Sequence, residues 1–175
     1  MLTLRILSLV TAFVVAGYVP PAVAEPSKSQ TVKTAMFGNV TLDTGTIYLA
    51  DGGIHGVQGH TLVVAASGDA RWERRLDGLQ PSGKAGVGTL KLAADEAKQL
   101  VAWADRLWDL APKGKASFDP DPKNGPPRWV WVIVIRRGDE VRILQGGDMA
   151  SPNGAPDPAK AALTWLSNRV DAAAK

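Results

Sequence analysis

The only two histidines of the chain, His55 and His60, lie in a stretch of ten residues that begins at Asp51 and contains four glycines. Imidazole and carboxylate groups bind zinc or exchange protons in hydrolysis. Histidines five positions apart, however, face opposite sides of a strand and miss the spacing of helical chelating pairs. No third histidine and no cysteine is available to complete a zinc site. The pattern therefore favours a glycine-rich turn that carries exposed histidines, with no metal.

A hydrolase is the alternative that these residue types leave open. Ser67, either histidine and Asp51 supply the groups of a catalytic triad, but no serine of the chain lies in a Gly-x-Ser-x-Gly elbow. We therefore predict no catalytic residues. An exported hydrolase or metal-dependent enzyme that uses Asp51, His55 and His60 remains as a second hypothesis.

The stretch from Asp119 to Gly125 resembles the start of a calcium-binding loop, with oxygen ligands from two aspartates and an asparagine. Its register does not fit, because the fifth position is Lys123 and the twelfth, where a bidentate glutamate belongs, is Val130. We interpret the stretch as a solvated turn, and we expect no metal and no cofactor.

Hydrophobic patterns predict the elements that position these residues. Strands are expected at 46–50, 60–66, 70–76, 129–135 and 141–145, with Gly-Asp turns joining two hairpins. Residues 70–76 alternate, so that Trp72, Arg74 and Leu76 share one face and Arg71, Glu73 and Arg75 a solvated one. Seven consecutive apolar residues at 129–135 indicate a central strand that is covered on both faces. The glycine- and proline-containing segments 80–88 and 113–127 are predicted to be loops.

Two amphipathic helices are expected, one over 93–110 and one from Asp157 to the end of the chain. The first has an apolar stripe made by Ala97, Leu100, Val101, Ala104, Leu107 and Trp108. In the second, Asp157 is the expected N-cap and Pro158 the first helical residue, and the stripe is Ala159, Leu163, Leu166 and Val170. Trp103 and Trp165 lie at or beyond the edges of these stripes, which makes them candidates for a partner surface.

These elements predict an α+β fold, an antiparallel sheet of four to five strands (two hairpins) with two amphipathic helices packed on it. A single domain is expected over 44–175 and a flexible N-terminal segment over 25–43. Residues 1–24 have the form of a signal peptide. Arg5 precedes an apolar run, and Ala22-Val23-Ala24 offers a cleavage site after Ala24. We expect an exported protein, periplasmic or secreted.

Composition narrows the range of partners. The chain has 20 Lys and Arg against 17 Asp and Glu, and the two signs are interspersed, so no face is predicted to bind nucleic acid. No later apolar run is long enough to span a bilayer, so no stable membrane insertion is expected after cleavage. The absence of cysteine excludes disulfides and thiol catalysis.

Three features resemble the emfourin-like family of small bacterial proteins: the Asp51-Gly-Gly-Ile-His-Gly turn, the Leu90-x-Leu-Ala-Ala-Asp-Glu-Ala helix start, and a late apolar strand before a terminal helix. The similarity in order of elements spans about residues 46–170. It implies an antiparallel α+β domain that inhibits thermolysin-like metallopeptidases by occupying their cleft, without a cofactor. The signal peptide and the proline-rich segment 113–127 depart from that family.

The first functional hypothesis is therefore an exported non-enzymatic binding protein whose partner is an exported metallopeptidase. Its predicted partner-binding residues are Gly52, Gly53, Ile54, His55, Gly56 and Trp165. A third hypothesis is an envelope protein that assembles through the surface around Trp103 and Trp165.

Overall fold

The computed structural model describes residues 29–34, 37–53, 58–76, 85–118, 127–147 and 154–175. The proposed signal peptide and the predicted binding residues Ile54, His55 and Gly56 lie outside these ranges. The described part of the chain forms nine strands and two helices: β1 (Gln30–Thr34), β2 (Gly38–Leu42), β3 (Ile47–Gly53), β4 (Gly59–Val64), β5 (Asp69–Arg75), β6 (Gly86–Lys91), α1 (Ala94–Asp109), β7 (Lys115–Phe118), β8 (Trp129–Arg137), β9 (Glu140–Gly147) and α2 (Asp157–Ala173).

Seven of these strands form one sheet in the order β6-β5-β4-β3-β8-β9-β7. Neighbouring strands are antiparallel except β7 and β9, which are parallel. The prediction of an antiparallel sheet of four to five strands is therefore wrong. The sheet is mixed and larger, and a separate two-stranded sheet is made by β1 and β2.

The two strands that the sequence analysis missed in the large sheet are its edges, β6 and β7. β6 falls partly within the predicted loop 80–88 because it contains Gly86 and Gly88, which lower strand propensity. The indole of Trp72 lies against these glycines, and a Cβ built on Gly88 would be 2.8 Å from the ring. The aromatic ring thus supplies the packing that the glycines lack. β7 has only four residues and lies at the start of the predicted loop 113–127.

The core is packed on both faces of the sheet. Alternate residues of β8, including Trp131 and Ile133, join a buried cluster with α1 and α2, whereas Val132 and Val134 join a second cluster on the opposite face. The prediction that 129–135 is an inner strand covered on both faces is confirmed.

The β1–β2 hairpin covers part of the second face. Val40 and Leu42 are buried against Val132 and Val134. The buried guanidinium of Arg136 donates from Nη1 to the carbonyl oxygen of Leu42 at 2.6 Å, which joins β2 to β8. These strands lie within 25–43, the segment predicted to be flexible, so that expectation is wrong for the strand residues. Their short polar stretches are ordered because they meet the apolar sheet, a long-range contact that local composition does not reveal.

The predicted helices are present. Ala159, Leu163, Leu166 and Val170 of α2 are all buried, as predicted, although α2 starts at Asp157 with Pro156 as its N-cap rather than Asp157. In α1 the buried residues are Leu100, Ala104 and Leu107. Val101, predicted to lie on the buried stripe, is 54% exposed because α2 and the sheet cover only a narrow side of the helix.

The indole of Trp108, near the end of α1, lies between two arginines of the sheet. The guanidinium carbons of Arg137 and Arg142 are 4.6 and 4.5 Å from the ring centroid. Arg142 Nη1 also donates to the carbonyl oxygen of Ala111 at 2.8 Å, beyond the helix end. This cation–π arrangement fastens the end of α1 to β8 and β9. Within the described ranges, neither helix has the length and apolar character of a membrane span.

Candidate functional site

Three connections of the chain begin and end at the same end of the strands of the large sheet. Strand pairing aligns Gly53 with Trp129, Gly59 with Arg75, and Phe118 with Gly146. The described structure is therefore left and rejoined at this same end of the strands by residues 54–57, 77–84 and 119–126. The tight turns after β4 and β8 lie at the opposite end of the strands. The predicted binding residues Gly52 and Gly53 lie at the end of the strands that carries these three connections.

Asp51 lies immediately before these glycines and is 1% exposed. Its Oδ1 accepts a hydrogen bond from the backbone nitrogen of His60 at 3.0 Å and is 2.9 Å from His60 Nδ1. Its Oδ2 accepts a hydrogen bond from Ser167 Oγ at 2.9 Å. Both oxygens of a fully buried carboxylate are thus satisfied, as a buried charge requires.

The other ring nitrogen of His60 faces a second carboxylate. Nε2 is 3.2 Å from Oδ1 of Asp171. Arg74 Nε lies 2.6 Å from the same oxygen. Ser167 and Asp171 are four residues apart on α2 and so share one helix face. We call Asp51, His60, Arg74, Ser167 and Asp171 the Asp51 cluster; it joins β3, β4, β5 and α2.

The two carboxylates set the charge of His60. Burial of the ring is the largest single influence and favours the neutral form. The hydrogen bond with Asp51, its negative charge, and the charge and hydrogen bond of Asp171 together outweigh burial, and the pKa of His60 is raised. With a protonated His60, the two cations and two carboxylates of the cluster balance.

This geometry does not form a catalytic triad. In a triad, the serine hydroxyl bonds to the histidine, which bonds to the aspartate. Here Ser167 bonds to Asp51 and to its own helix at the Leu163 carbonyl oxygen, while both nitrogens of His60 face carboxylates. Ser67, the serine considered from the sequence, lies in the β4–β5 turn, at the other end of the strands. Its Oγ donates a hydrogen bond to Asp69 Oδ2 at 2.6 Å.

A metal site is likewise not formed by the described residues, which hold no group of three or more potential ligand side chains arranged around a common point. Asp51 and His60 are brought together, as the second hypothesis requires, but their polar atoms are occupied by each other and by α2. His55, the third residue of that hypothesis, is outside the described ranges.

The backbone next to Asp51 has space only for glycine. A Cβ on Gly59 would lie 2.1 Å from the carbonyl oxygen of Asp51, and one on Gly52 would lie 2.6 Å from that of Gln58. The backbone nitrogen of Gly53 donates to the Gln58 carbonyl oxygen at 3.0 Å. By contrast, the nearest atom to a Cβ on Gly53 is 3.9 Å away. The backbones of β3 and β4 approach closely at the base of this hairpin, which is possible because Gly52 and Gly59 have no Cβ.

Trp165, the remaining predicted binding residue, lies where α2 meets α1. Its ring is partly buried and packs edge-on against Trp103, with 6.0 Å between the ring centroids. The two rings expected to form a partner surface are therefore in contact with each other and with the core.

Sequence analysis did not identify Arg74, Ser167 or Asp171 as members of a site. The predicted alternation in β5 puts Arg74 and Trp72 on the same face of the strand. The structure agrees, since both side chains face the helices. Polar residues four apart beside the stripe residue Val170 are the only local signal for Ser167 and Asp171. Such pairs are common on exposed helix faces, so the signal does not identify a site.

No protein-family model matches the chain, and no curated protein sequence matches it. The resemblance to the emfourin-like family therefore stays a prediction, and the geometry of the Asp51 cluster is the remaining basis for a functional proposal.

Proposed function

We propose that this protein is an exported, non-enzymatic binding protein that inhibits a thermolysin-like metallopeptidase through the β3–β4 connection. The observation that carries the proposal is the Asp51 cluster, which ties both strands at the base of that connection to α2. The proposed contact residues are Gly52 and Gly53 with the following residues 54–56.

A segment that enters a cleft binds more tightly when its ends are already fixed, because less conformational freedom is lost on binding. Asp51 and His60 are the last side-chain pair before the glycines and hold the two strands at a set separation. The Ser167 and Asp171 contacts connect this pair to α2, and because the apolar face of that helix is buried, the support extends into the core. This is the arrangement expected for presenting a loop.

The hydrolase or metal-enzyme alternative is less well supported by the same residues. A general base needs a ring nitrogen free to take a proton from the substrate or from water. His60 has both nitrogens next to carboxylates, and Asp51 is buried with both oxygens in hydrogen bonds. These groups stabilise one another and do not face a reacting molecule.

The test is a peptidase assay with the exported form of the protein. We expect stoichiometric loss of activity of a thermolysin-like peptidase from the same organism, and mass spectrometry of the exported protein should give an N-terminus at Glu25. Full peptidase activity at excess protein would contradict the inhibitor proposal. Hydrolytic activity that is lost in His60→Asn would favour the alternative.

Two glycine variants make a matched pair for this assay. Gly59→Ala places a Cβ against the Asp51 carbonyl and should distort the base of the hairpin, weakening inhibition by about tenfold or more. Gly86→Ala, on the edge strand β6 and outside the proposed contact residues, brings its Cβ no closer than 3.4 Å to the Trp72 indole and should leave the base of the hairpin intact. Equal inhibition by both variants would show that the geometry of this hairpin is not what the peptidase recognises.

A further inference from the structure

The face of the sheet opposite the Asp51 cluster contains an open groove of about 640 Å³. It lies between the end of β2 and the strands β4, β5 and β6. The β1–β2 hairpin covers the neighbouring part of this face, so the edge of that hairpin forms one wall. The volume is within the range of small-molecule sites in proteins.

Strand pairing defines the floor of the groove. Val63, Arg71 and Thr89 are directly opposite one another across β4, β5 and β6. Asp69 and Lys91 form the adjacent pair towards the β4–β5 turn. Apolar surface and hydroxyl groups therefore lie beside charged groups within one groove, the usual composition of a site that orients a small ligand.

Only some of the charged side chains that line the groove form ion pairs with one another. Lys91 Nζ is 2.8 Å from Asp69 Oδ1 and donates to the carbonyl oxygen of Ser67 at 2.7 Å, so these two charges are paired. Among the described residues, neither the guanidinium of Arg71 nor the carboxylate of Asp43, on the hairpin wall, has an ion-pair partner. Within the part of the chain that the structure describes, one exposed cation and one exposed anion are thus left without an ion-pair partner in the same groove.

A buried hydroxyl points to a ligand independently of these charges. Thr46 lines the groove and is 2% exposed, and its Oγ1 has no hydrogen-bond partner within the described part of the chain. Buried hydroxyls are nearly always hydrogen-bonded in native structures. A polar atom of a bound molecule would satisfy it.

We infer that this groove binds a small zwitterion, an amino acid or a short peptide, with its carboxylate on Arg71 and its ammonium group on Asp43. A guanidinium binds a carboxylate through two parallel hydrogen bonds, and an aspartate accepts from an ammonium group. Val63 and Ala65 provide an apolar surface for the side chain of the ligand. This site is on the other side of the sheet from the proposed inhibitory hairpin and is independent of that function.

The experiment is a nuclear magnetic resonance titration of the exported protein with leucine and with alanyl-leucine, two sources of the same end groups. Three analogues remove the charges: N-acetyl-leucine lacks the ammonium group, leucinamide lacks the carboxylate, and N-acetyl-leucinamide lacks both. We expect amide shifts at Arg71, Thr46 and Thr89, and a dissociation constant raised by about tenfold or more for each singly blocked analogue.

Variants identify the two contacts. Arg71→Gln should abolish the preference for leucine over leucinamide, and Asp43→Asn the preference for leucine over N-acetyl-leucine. Arg106→Gln and Asp109→Asn, at exposed positions of α1, are the matched controls and should bind like the unaltered protein. Tighter binding of alanyl-leucine than of leucine assigns the site to peptides, and the reverse assigns it to amino acids.

Either of two results would overturn the inference. One is the absence of shifts in the groove with both leucine and alanyl-leucine at millimolar concentration. The other is equal binding of N-acetyl-leucinamide and leucine, because a site built on Arg71 and Asp43 must distinguish them. Both readings come from the unaltered protein, so they do not depend on whether a variant folds.

Discussion

Asp51 and His60 are directly opposite each other on β3 and β4, and one carboxylate oxygen of Asp51 contacts both the backbone nitrogen and Nδ1 of His60. The backbone contact fixes the strand, and the ring contact fixes the side chain. Because the same ring reaches Asp171 on α2, a single cross-strand pair connects the hairpin to the helix layer. We therefore expect stability and its pH dependence to respond to changes in this pair.

Removal of the Asp51 charge should be strongly destabilising. We expect Asp51→Asn to lower the free energy of unfolding by about 3–5 kcal/mol, since it leaves the partly buried His60 and Arg74 with one carboxylate fewer. Urea denaturation measures the change. The exposed control Asp109→Asn should stay within about 0.5 kcal/mol of the unaltered protein. A similarly small change for Asp51→Asn would show that its charge is not needed.

The stability contributed by His60 should depend on pH. Its pKa is raised in the folded protein above the unfolded value of about 6.5. The contribution is therefore full below about pH 6.5 and is lost as pH rises through the folded pKa. We expect the difference in unfolding free energy between the unaltered protein and His60→Asn to be larger at about pH 5.5 than at about pH 8.5. His55 is common to both proteins and cancels, and a difference independent of pH would contradict the raised pKa.

The contact between Trp72 and β6 predicts different effects for two neighbouring glycines. Gly88→Ala places a Cβ 2.8 Å from three indole atoms and should lower stability by about 1–3 kcal/mol through overpacking. In Gly86→Ala the nearest indole atom is 3.4 Å away, so we expect a clearly smaller effect. Thermal unfolding followed by circular dichroism compares the two. Equal effects would mean that Trp72 moves freely away from Gly88.

Arg136 should hold the β1–β2 hairpin on the sheet. Its Nη1 donates to the Leu42 carbonyl oxygen and its Nε to that of Gly138, at 2.6 and 2.9 Å. Arg136→Met keeps the apolar stem and removes both bonds. The buried Leu42 carbonyl is then left unpaired at a cost of about 1–3 kcal/mol, whereas the carbonyl of Gly138, an exposed residue, can bond to water. We expect faster amide hydrogen exchange in β1 and β2 and little change in β4. Uniform acceleration throughout the sheet would show that the bonds support the whole fold instead.

Patterns that are local in sequence were sufficient for several elements of this protein. The apolar stripe of α2, which includes Leu163 and Leu166, identifies the face that this helix buries. The apolar run 129–135 likewise identifies a strand that is buried on both faces. Both hairpins were predicted for the same reason, since a tight turn depends on the residues at its centre. Gly138 and Asp139 form the expected two-residue turn of the second hairpin, whereas the first hairpin turns through the three residues 66–68, because Ala65 already pairs with Asp69. Val101 was misplaced because periodicity gives the direction of a stripe but not how wide a side the neighbouring elements cover.

The tertiary structure alone decided the extent of the sheet and the composition of the site. The sequences of β6 and β7 give weak strand signals. Each forms a strand because a neighbouring inner strand offers it backbone hydrogen bonds, and in β6 the residue paired with Gly88 is Trp72. The members of the Asp51 cluster are far apart along the chain: Asp51 and Ser167 are separated by 116 residues, and His60 and Asp171 by 111. The sequence by itself determined the two helices and the inner strands of the large sheet, because each of them buries its own apolar face. Only folding decided which polar residues meet, because that depends on how α2 crosses β3, β4 and β5.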